Sequence, residues 1–120
     1  MKLAIAGTRD FRLSPEFIRD TLSVFNLRHD VKEVVSGGAS GVDWAGEEYS
    51  IEYLDKPAKV FAADWTMGVG AGPERNADIA DYADALLIIW DGSSPGSASM
   101  KTEMLSLKKP IYEILVKAPK

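Results

Sequence analysis

The sequence predicts an α/β fold, a three-layer, Rossmann-like, doubly wound parallel sheet of about five strands. Apolar runs of strand length alternate with segments whose apolar residues recur at helical spacing. The apolar run that ends at Trp90 shows no polar alternation, which is typical of a strand covered by helices on both faces. Several predicted strands end in small-residue loops that lead directly into helices.

Composition limits the class of protein. At 120 residues, with 46% apolar and 27% charged residues, the chain is expected to form a single domain. The net charge of −4 disfavours duplex nucleic acid as a partner. The absence of cysteine excludes disulfides and thiolate catalysis, and a single His29 leaves no histidine cluster for zinc. Without a long apolar span or a signal-peptide pattern, we expect a cytoplasmic protein that does not enter a membrane.

The first half of the chain contains two strand–loop–helix units. Ser14 and Pro15 suit the N-cap and first position of a helix. The predicted elements are a strand at Lys2–Ala6 with exit loop Gly7–Arg12, a helix that begins at Pro15, a strand at Lys32–Ser36 with exit loop Gly37–Gly41, and a helix from about Val42 to Leu54.

The second half repeats the alternation. Pro73 suits the start of a helix, where its missing N–H is harmless, and Pro110 ends the last helix. The predicted elements are a weakly patterned strand at Pro57–Ala62, a glycine-rich loop at Asp64–Gly72, a helix from Pro73 to about Tyr82, the apolar strand before Asp91, a helix from about Ser97 to Lys108, a strand at Ile111–Val116, and a polar tail.

The strand order predicts where a ligand binds. Strands that alternate with helices form parallel sheets with right-handed crossovers. In the order 3-2-1-4-5, the chain reverses direction between strands 1 and 4, and ligands bind in that crevice at the carboxyl ends of the strands. The exit loops Gly7–Arg12 and Asp91–Ser97 would flank the crevice, with Gly37–Gly41 beside them.

The loop after the fourth strand is the main candidate for an anion site. Its small residues lead into a helix N-terminus, where free N–H groups and the helix dipole favour a phosphate. The predicted ligand-binding residues of this loop are Asp91, Gly92, Ser93, Ser94, Gly96 and Ser97.

The two earlier exit loops supply further candidates. Gly37, Gly38, Ala39 and Gly41 occupy the position of a phosphate cradle, but they lack the dinucleotide fingerprint and a Walker lysine, and a tight turn explains them equally well. The other candidates in and beside these loops are Gly7, Thr8, Arg9, Asp10 and Asp43. Arg9 and Asp10 are explained equally by a surface ion pair, and Asp43 by a carboxylate in the first helical turn that favours the helix dipole.

Arg75 and Asn76 lie in the first turn of the third predicted helix. The helix dipole disfavours an arginine there, so a phosphate or ribose contact is the preferred explanation. Of the three tryptophans, Trp65 is the best candidate to stack on a base, while Trp90 continues the apolar strand and suits the core. Asp64, which precedes Trp65, is also predicted to contact the ligand. The one cofactor that the sequence allows is Mg²⁺ carried by ligand phosphates, on which Asp10, Asp43, Asp64 and Asp91 would converge. Nothing in the spacing of these residues requires a metal.

Five motifs, in this order, resemble the YspA-like branch of the SLOG superfamily over nearly the whole chain. They are Gly7-Thr8-Arg9-Asp10-Phe11, Ser36-Gly37-Gly38-Ala39-Ser40-Gly41-Val42-Asp43, Ala63-Asp64-Trp65, Ala71-Gly72-Pro73-Glu74-Arg75-Asn76, and Trp90-Asp91-Gly92-Ser93-Ser94-Pro95-Gly96-Ser97. The resemblance implies a Rossmann-like fold and a nucleotide-derived ligand. Relatives include ADP-ribose or NAD-related sensor domains, the DNA-processing protein DprA and the LONELY GUY phosphoribohydrolases, and they often form dimers through their helices.

This chain matches some of the catalytic residues of the phosphoribohydrolases and lacks another. Arg75 resembles their helix arginine, and Gly96-Ser97 match the Gly-Thr of their phosphate loop. Ser99 stands where their catalytic glutamate is expected, and a serine cannot replace that carboxylate. Glu103, one turn further on, is the nearest substitute, so Arg75 and Glu103 are the catalytic candidates if the protein is an enzyme.

Three functions follow from these patterns. The leading expectation is a module that binds or senses a nucleotide derivative such as ADP-ribose, NAD or a nucleoside phosphate. The alternatives are an N-glycosidase acting on such a ligand and a DNA-associated protein akin to DprA. A homodimer or a higher homo-oligomer is expected only by resemblance.

Overall fold

The computed structural model describes residues 1–117 and confirms the predicted class. Four helices flank a five-stranded, all-parallel sheet in the order β3-β2-β1-β4-β5. The elements are β1 (Lys2–Gly7), α1 (Pro15–Val24), β2 (Glu33–Ser36), α2 (Val42–Leu54), β3 (Lys59–Val60), a short 3-10 turn (Trp65–Met67), α3 (Ala71–Tyr82), β4 (Ala85–Trp90), α4 (Pro95–Ser106) and β5 (Ile111–Leu115).

The two faces of the sheet carry separate apolar layers because successive strand residues point to opposite sides. Leu3 and Ile5 of β1 face the layer built with α1 and α2, while Ala4 between them faces the layer built with α3 and α4. Every residue of β4 is buried, as the continuous apolar run predicts for a central strand covered on both faces.

Strands β1 and β4 form the centre of the sheet. Their register runs from Leu3 opposite Ala85 to Gly7 opposite Ile89. A Cβ on Gly7 would overlap the carbonyl oxygen of Ile89, so only glycine allows β1 to approach β4 this closely. The exit loops of these two strands therefore start side by side.

Several element ends differ from the predictions. The third strand contains only Lys59 and Val60, because it lies at the sheet edge with both residues exposed and pairs with β2 alone. Helix α3 begins at Ala71, two residues before the predicted start, and Pro73 is tolerated because the first N–H groups of a helix have no internal partner.

Helix α4 also begins earlier than predicted. Pro95 occupies its first position after the N-cap Ser94, the arrangement recognised in the sequence for Ser14 and Pro15 but missed here. The helix ends at Ser106, and Lys108 adopts a left-handed conformation with φ 57°. The fifth strand ends at Leu115, and the predicted polar tail lies largely outside the described residues.

No helix within residues 1–117 is long and apolar enough to span a lipid bilayer.

Candidate functional site

A cleft of about 380 Å³ opens where β1 and β4 end. Its floor consists of sheet and helix residues that are mainly apolar, and its rim contains the exit loops of β1, β2 and β4 together with Arg75 and Asn76 of α3. This is the position predicted from the strand order, because the chain reverses direction between β1 and β4. We call it the first cleft.

A second cleft, of about 440 Å³, adjoins the first on the side of β2 and β3. The two clefts share the residues Arg9, Gly37, Ala39 and Arg75. The remainder of the second cleft includes Glu47 of α2, Val60 of β3 and Trp65 of the 3-10 turn. The arginines therefore lie at the junction of two adjacent spaces.

Most of the predicted site residues line these clefts. Those at the first cleft are Gly7, Thr8, Arg9, Asp10, Gly37, Ala39, Asp43, Arg75, Asn76, Asp91, Ser94, Gly96 and Ser97. Those at the second cleft are Arg9, Gly37, Gly38, Ala39, Trp65 and Arg75. Five predicted residues line neither cleft, namely Gly41, Asp64, Gly92, Ser93 and Glu103.

Thr8 connects the exit loops of β1 and β4. Its N–H donates to the carbonyl of Ile89 at 3.2 Å. Its hydroxyl accepts from the N–H of Asp91 at 3.2 Å and lies 3.2 Å from the hydroxyl of Ser94. The predicted proximity of the two loops is therefore correct, and the buried Thr8 side chain contributes to it directly.

The Asp91 side chain binds backbone N–H groups of its own loop, which is the predicted phosphate loop. One carboxylate oxygen accepts from the N–H groups of Ser93 and Ser94, at 2.9 and 3.0 Å. These bonds, the Ser93 amide first, lower the pKa of the Asp91 carboxyl, so it carries a negative charge beside the start of α4. The amides of Ser93 and Ser94 are thus already satisfied, and the donors expected at the helix start are those of Gly96 and Ser97.

The loop after β2 also satisfies part of its own backbone. The N–H of Gly38 donates to the Ser36 hydroxyl at 3.0 Å, and the N–H of Ala39 donates to the Asp43 carboxylate at 3.3 Å. These contacts match the tight-turn alternative for the glycine-rich segment. Its amides are therefore weaker candidates for a phosphate than the nearby arginine side chains.

Arg75 is the most distinctive cation of the site. Its Nη1 donates to the carbonyl of Gly37 at 2.6 Å, and its Nε donates to the Oδ1 of Asn76 at 2.9 Å. The side chain is half-buried, and burial lowers the pKa of its guanidinium. Within residues 1–117, no carboxylate lies within 4.0 Å of it. Its Nη2 side therefore has donors to offer to an anion.

Asp43 is the one nearly buried carboxylate of the first cleft, with 6% of its surface exposed. Burial raises the pKa of this carboxyl to about 6, although the Ala39 amide and the charge of Arg75 both lower it. The same side chain braces the β2 loop through Ala39, so part of its role is structural.

Asn76 joins α3 to α4. It is buried, and its side-chain amide donates to the hydroxyl of Ser99 at 3.2 Å and to the carbonyl of Gly96 at 3.4 Å. These contacts connect the second turn of α3 to the beginning of α4. They also give Ser99, the residue at the expected glutamate position, a structural partner. Glu103 lies beyond the clefts, so the carboxylates near a bound ligand would be others.

The three tryptophans have different environments. Trp90 is buried in the core, and its indole N–H donates to Glu113 at 2.7 Å, as its place in the apolar strand suggests. Trp44 is 56% exposed on α2, outside both clefts. Trp65 is 59% exposed, lines the second cleft and lies over Gly72 at the start of α3. Asp64 caps the short turn that carries Trp65.

Sequence reasoning missed Glu47, whose carboxylate lines the second cleft and accepts from the Ser36 hydroxyl at 2.7 Å. Glu47 follows Asp43 by four residues on α2 and therefore shares its helix face. That spacing was a usable signal. As for metals, no group of three or more His, Cys, Asp or Glu side chains able to hold an ion is found among residues 1–117.

Comparison with known proteins adds no relative: no family model, curated protein or solved structure matches the chain.

Proposed function

We propose that this protein binds a nucleotide-derived anion, such as a nucleoside phosphate or an ADP-ribose-like compound, at the carboxyl ends of its strands. The observation that carries the proposal is Arg75, a half-buried guanidinium at the junction of two clefts, with no carboxylate of residues 1–117 within 4.0 Å. The charge of Asp43 acts on this guanidinium but no carboxylate of the described residues bonds to it directly, so an anionic ligand that did so would offset the remaining free-energy cost of its partial burial.

Two further features support the proposal. Arg9 lines both clefts and brings a second positive charge to the junction. The first turn of α4, with the amides of Gly96 and Ser97, lies against Asn76, the neighbour of Arg75. The resemblance of the five motifs to YspA-like SLOG proteins points to the same class of ligand.

A ligand screen with matched variants tests the proposal. AMP, ADP-ribose, NAD and ribose 5-phosphate are tested by thermal shift, and the binders are then titrated by calorimetry. Arg75→Gln should raise the dissociation constant by about tenfold or more, because it removes charged hydrogen bonds. Arg28→Gln removes the same charge from an exposed position outside both clefts and should leave binding unchanged.

Binding of a ligand only to the folded state at 100 times its dissociation constant stabilises the protein by about 2.7 kcal/mol, which a thermal scan detects readily. If none of the four compounds shifts the melting temperature at millimolar concentration, the proposal is wrong. Equal effects of the two arginine variants would show that any binding occurs elsewhere.

A further inference from the structure

Asp43 and Arg75 lie close together beside Gly37, a residue that lines both clefts. A Cβ on Gly37 would be 2.8 Å from Nη1 of Arg75 and 3.1 Å from Oδ2 of Asp43, so these two atoms lie within about 6 Å of each other. They form no salt bridge within 4.0 Å. An anion that binds the Nη2 side of Arg75 would therefore come close to the Asp43 carboxyl group.

The other charged groups around Asp43 come from three elements. Glu47 lies one turn further along α2, and its negative charge raises the pKa of Asp43. Arg9, in the exit loop of β1, lines both clefts and brings a positive charge. Asp10 and Asp91 line the first cleft only, the former exposed and the latter with a lowered pKa that keeps it ionised. Asp43 is the buried carboxyl group of this set.

The charge state of Asp43 decides how well Arg75 can bind an anion. The ionised carboxylate repels the anion and attracts the guanidinium, whereas the protonated carboxyl group does neither. Burial raises the pKa of this group to about 6, and a bound anion raises it further because a like charge disfavours ionisation. The Ala39 N–H can bond to the carboxyl group in both states, so protonation needs no change in the β2 loop.

We propose that the site takes up a proton together with its anion, and that Asp43 accepts this proton. Because coupling between two ligands is reciprocal, an anion that favours protonation of Asp43 binds more tightly when that group is already protonated. Anion binding therefore strengthens as the solution becomes mildly acidic. The inference rests on the proposed function and adds to it the regulation of the same site by pH.

Calorimetric titrations with ADP-ribose and with inorganic sulfate, at constant ionic strength, test the coupling. Neither probe changes its charge between pH 5 and pH 8, so any pH dependence belongs to the protein. The dissociation constant for wild type should be about tenfold lower at pH 5 than at pH 8. At pH 6.5, titrations in two buffers of different ionisation enthalpy should show uptake of about half a proton per anion, as expected if binding moves the pKa of Asp43 from about 6 to about 7.

Matched variants identify the group that takes up the proton. Asp43→Asn should bind both probes at every pH about as tightly as wild type does at pH 5, because its side chain stays neutral. Asp10→Asn removes an exposed carboxylate of the same cleft and should retain the tenfold pH dependence. His29 is the one histidine of the chain and lines neither cleft, so His29→Gln should retain it as well.

Glu47→Gln provides a second test that does not alter Asp43 itself. It removes a negative charge that raises the pKa of Asp43, so the change in affinity should occur at a lower pH than in wild type. Thermal melting of each variant without a probe verifies that it remains folded. If Asp43→Asn does not fold, an unchanged midpoint in Glu47→Gln would overturn the inference.

The outcomes separate this inference from the proposed function. If ADP-ribose binds in an Arg75-dependent manner with the same affinity from pH 5 to pH 8, or more weakly at pH 5, the coupling is wrong and the proposed function stands. A pH dependence that persists in Asp43→Asn would assign the proton to another group and would also overturn the inference. If neither probe binds at any pH, both proposals are contradicted.

Discussion

Arg75 illustrates how far a single residue can be understood from the sequence. The sequence placed it in the first turn of a helix starting at Pro73, where the dipole disfavours an arginine; because α3 begins at Ala71, Arg75 lies beyond the first turn and the dipole argument loses force. The structure nevertheless places it at the junction of the two clefts. Its bond to the Gly37 carbonyl was not predictable, since it depends on how closely the β2 loop approaches α3.

Asp43 yields a prediction about pH. Its folded-state pKa of about 6 exceeds the ordinary value of 3.8, so between these pH values the folded protein holds a proton that the unfolded chain has lost. The contribution of Asp43 to the free energy of unfolding therefore falls as pH rises from about 3 to about 7, by about 3 kcal/mol in total. Above about pH 7 the penalty is constant.

Chemical denaturation of wild type and Asp43→Asn at several pH values checks this. Because the asparagine side chain does not titrate, the variant's stability relative to wild type should increase by about 2.5 kcal/mol between pH 4 and pH 7. A difference that stays constant over this range, or that changes in the opposite direction, would contradict the raised pKa.

The loop between β4 and α4 shows what the sequence could not reveal about an element. Its small residues correctly indicated a strand-to-helix turn at the ligand edge of the sheet. They did not reveal that Asp91 would satisfy the amides of Ser93 and Ser94 itself. An aspartate in a loop of this composition can face a ligand or its own backbone, and only the geometry of the turn decides between them.

Removing the charge of Asp91 should therefore strengthen anion binding. Asp91→Asn keeps an oxygen that can accept from Ser93 and Ser94, while it removes a negative charge next to the start of α4. The affinity for ribose 5-phosphate should rise about three- to tenfold at low ionic strength, and the gain should shrink as salt is added. Titration calorimetry at two salt concentrations measures both effects; unchanged or weaker binding would place the anion away from α4.

The order of the sheet was predictable because few topologies satisfy the rules for parallel strands joined by helices. Alternating apolar runs indicated about five strands, and the predicted order 3-2-1-4-5 was one of the few that these rules allow; the structure confirms both. The edges were less predictable. Strand β3 contains only Lys59 and Val60, because an edge strand with one neighbour needs little of the apolar pattern that marks a central strand.

The close approach of β1 to β4 stabilises the centre of the sheet beside the first cleft. Gly7→Ala should destabilise the protein by about 3 kcal/mol or more, since the added methyl group would overlap the backbone of Ile89. Gly70→Ala is the control, because nothing lies within 4 Å of the added methyl group there, and its effect should stay below about 1 kcal/mol. Urea denaturation measures both; a mild effect at Gly7 would show that the sheet can relax around a side chain.

The most direct test of the central claim is a crystal structure of the protein grown with ADP-ribose. The account predicts phosphate density between the guanidinium groups of Arg9 and Arg75, with Asp91 still bonded to Ser93 and Ser94. Phosphate bound instead to the amides of Ser93 and Ser94 after displacement of Asp91, or ligand bound outside both clefts, would contradict it.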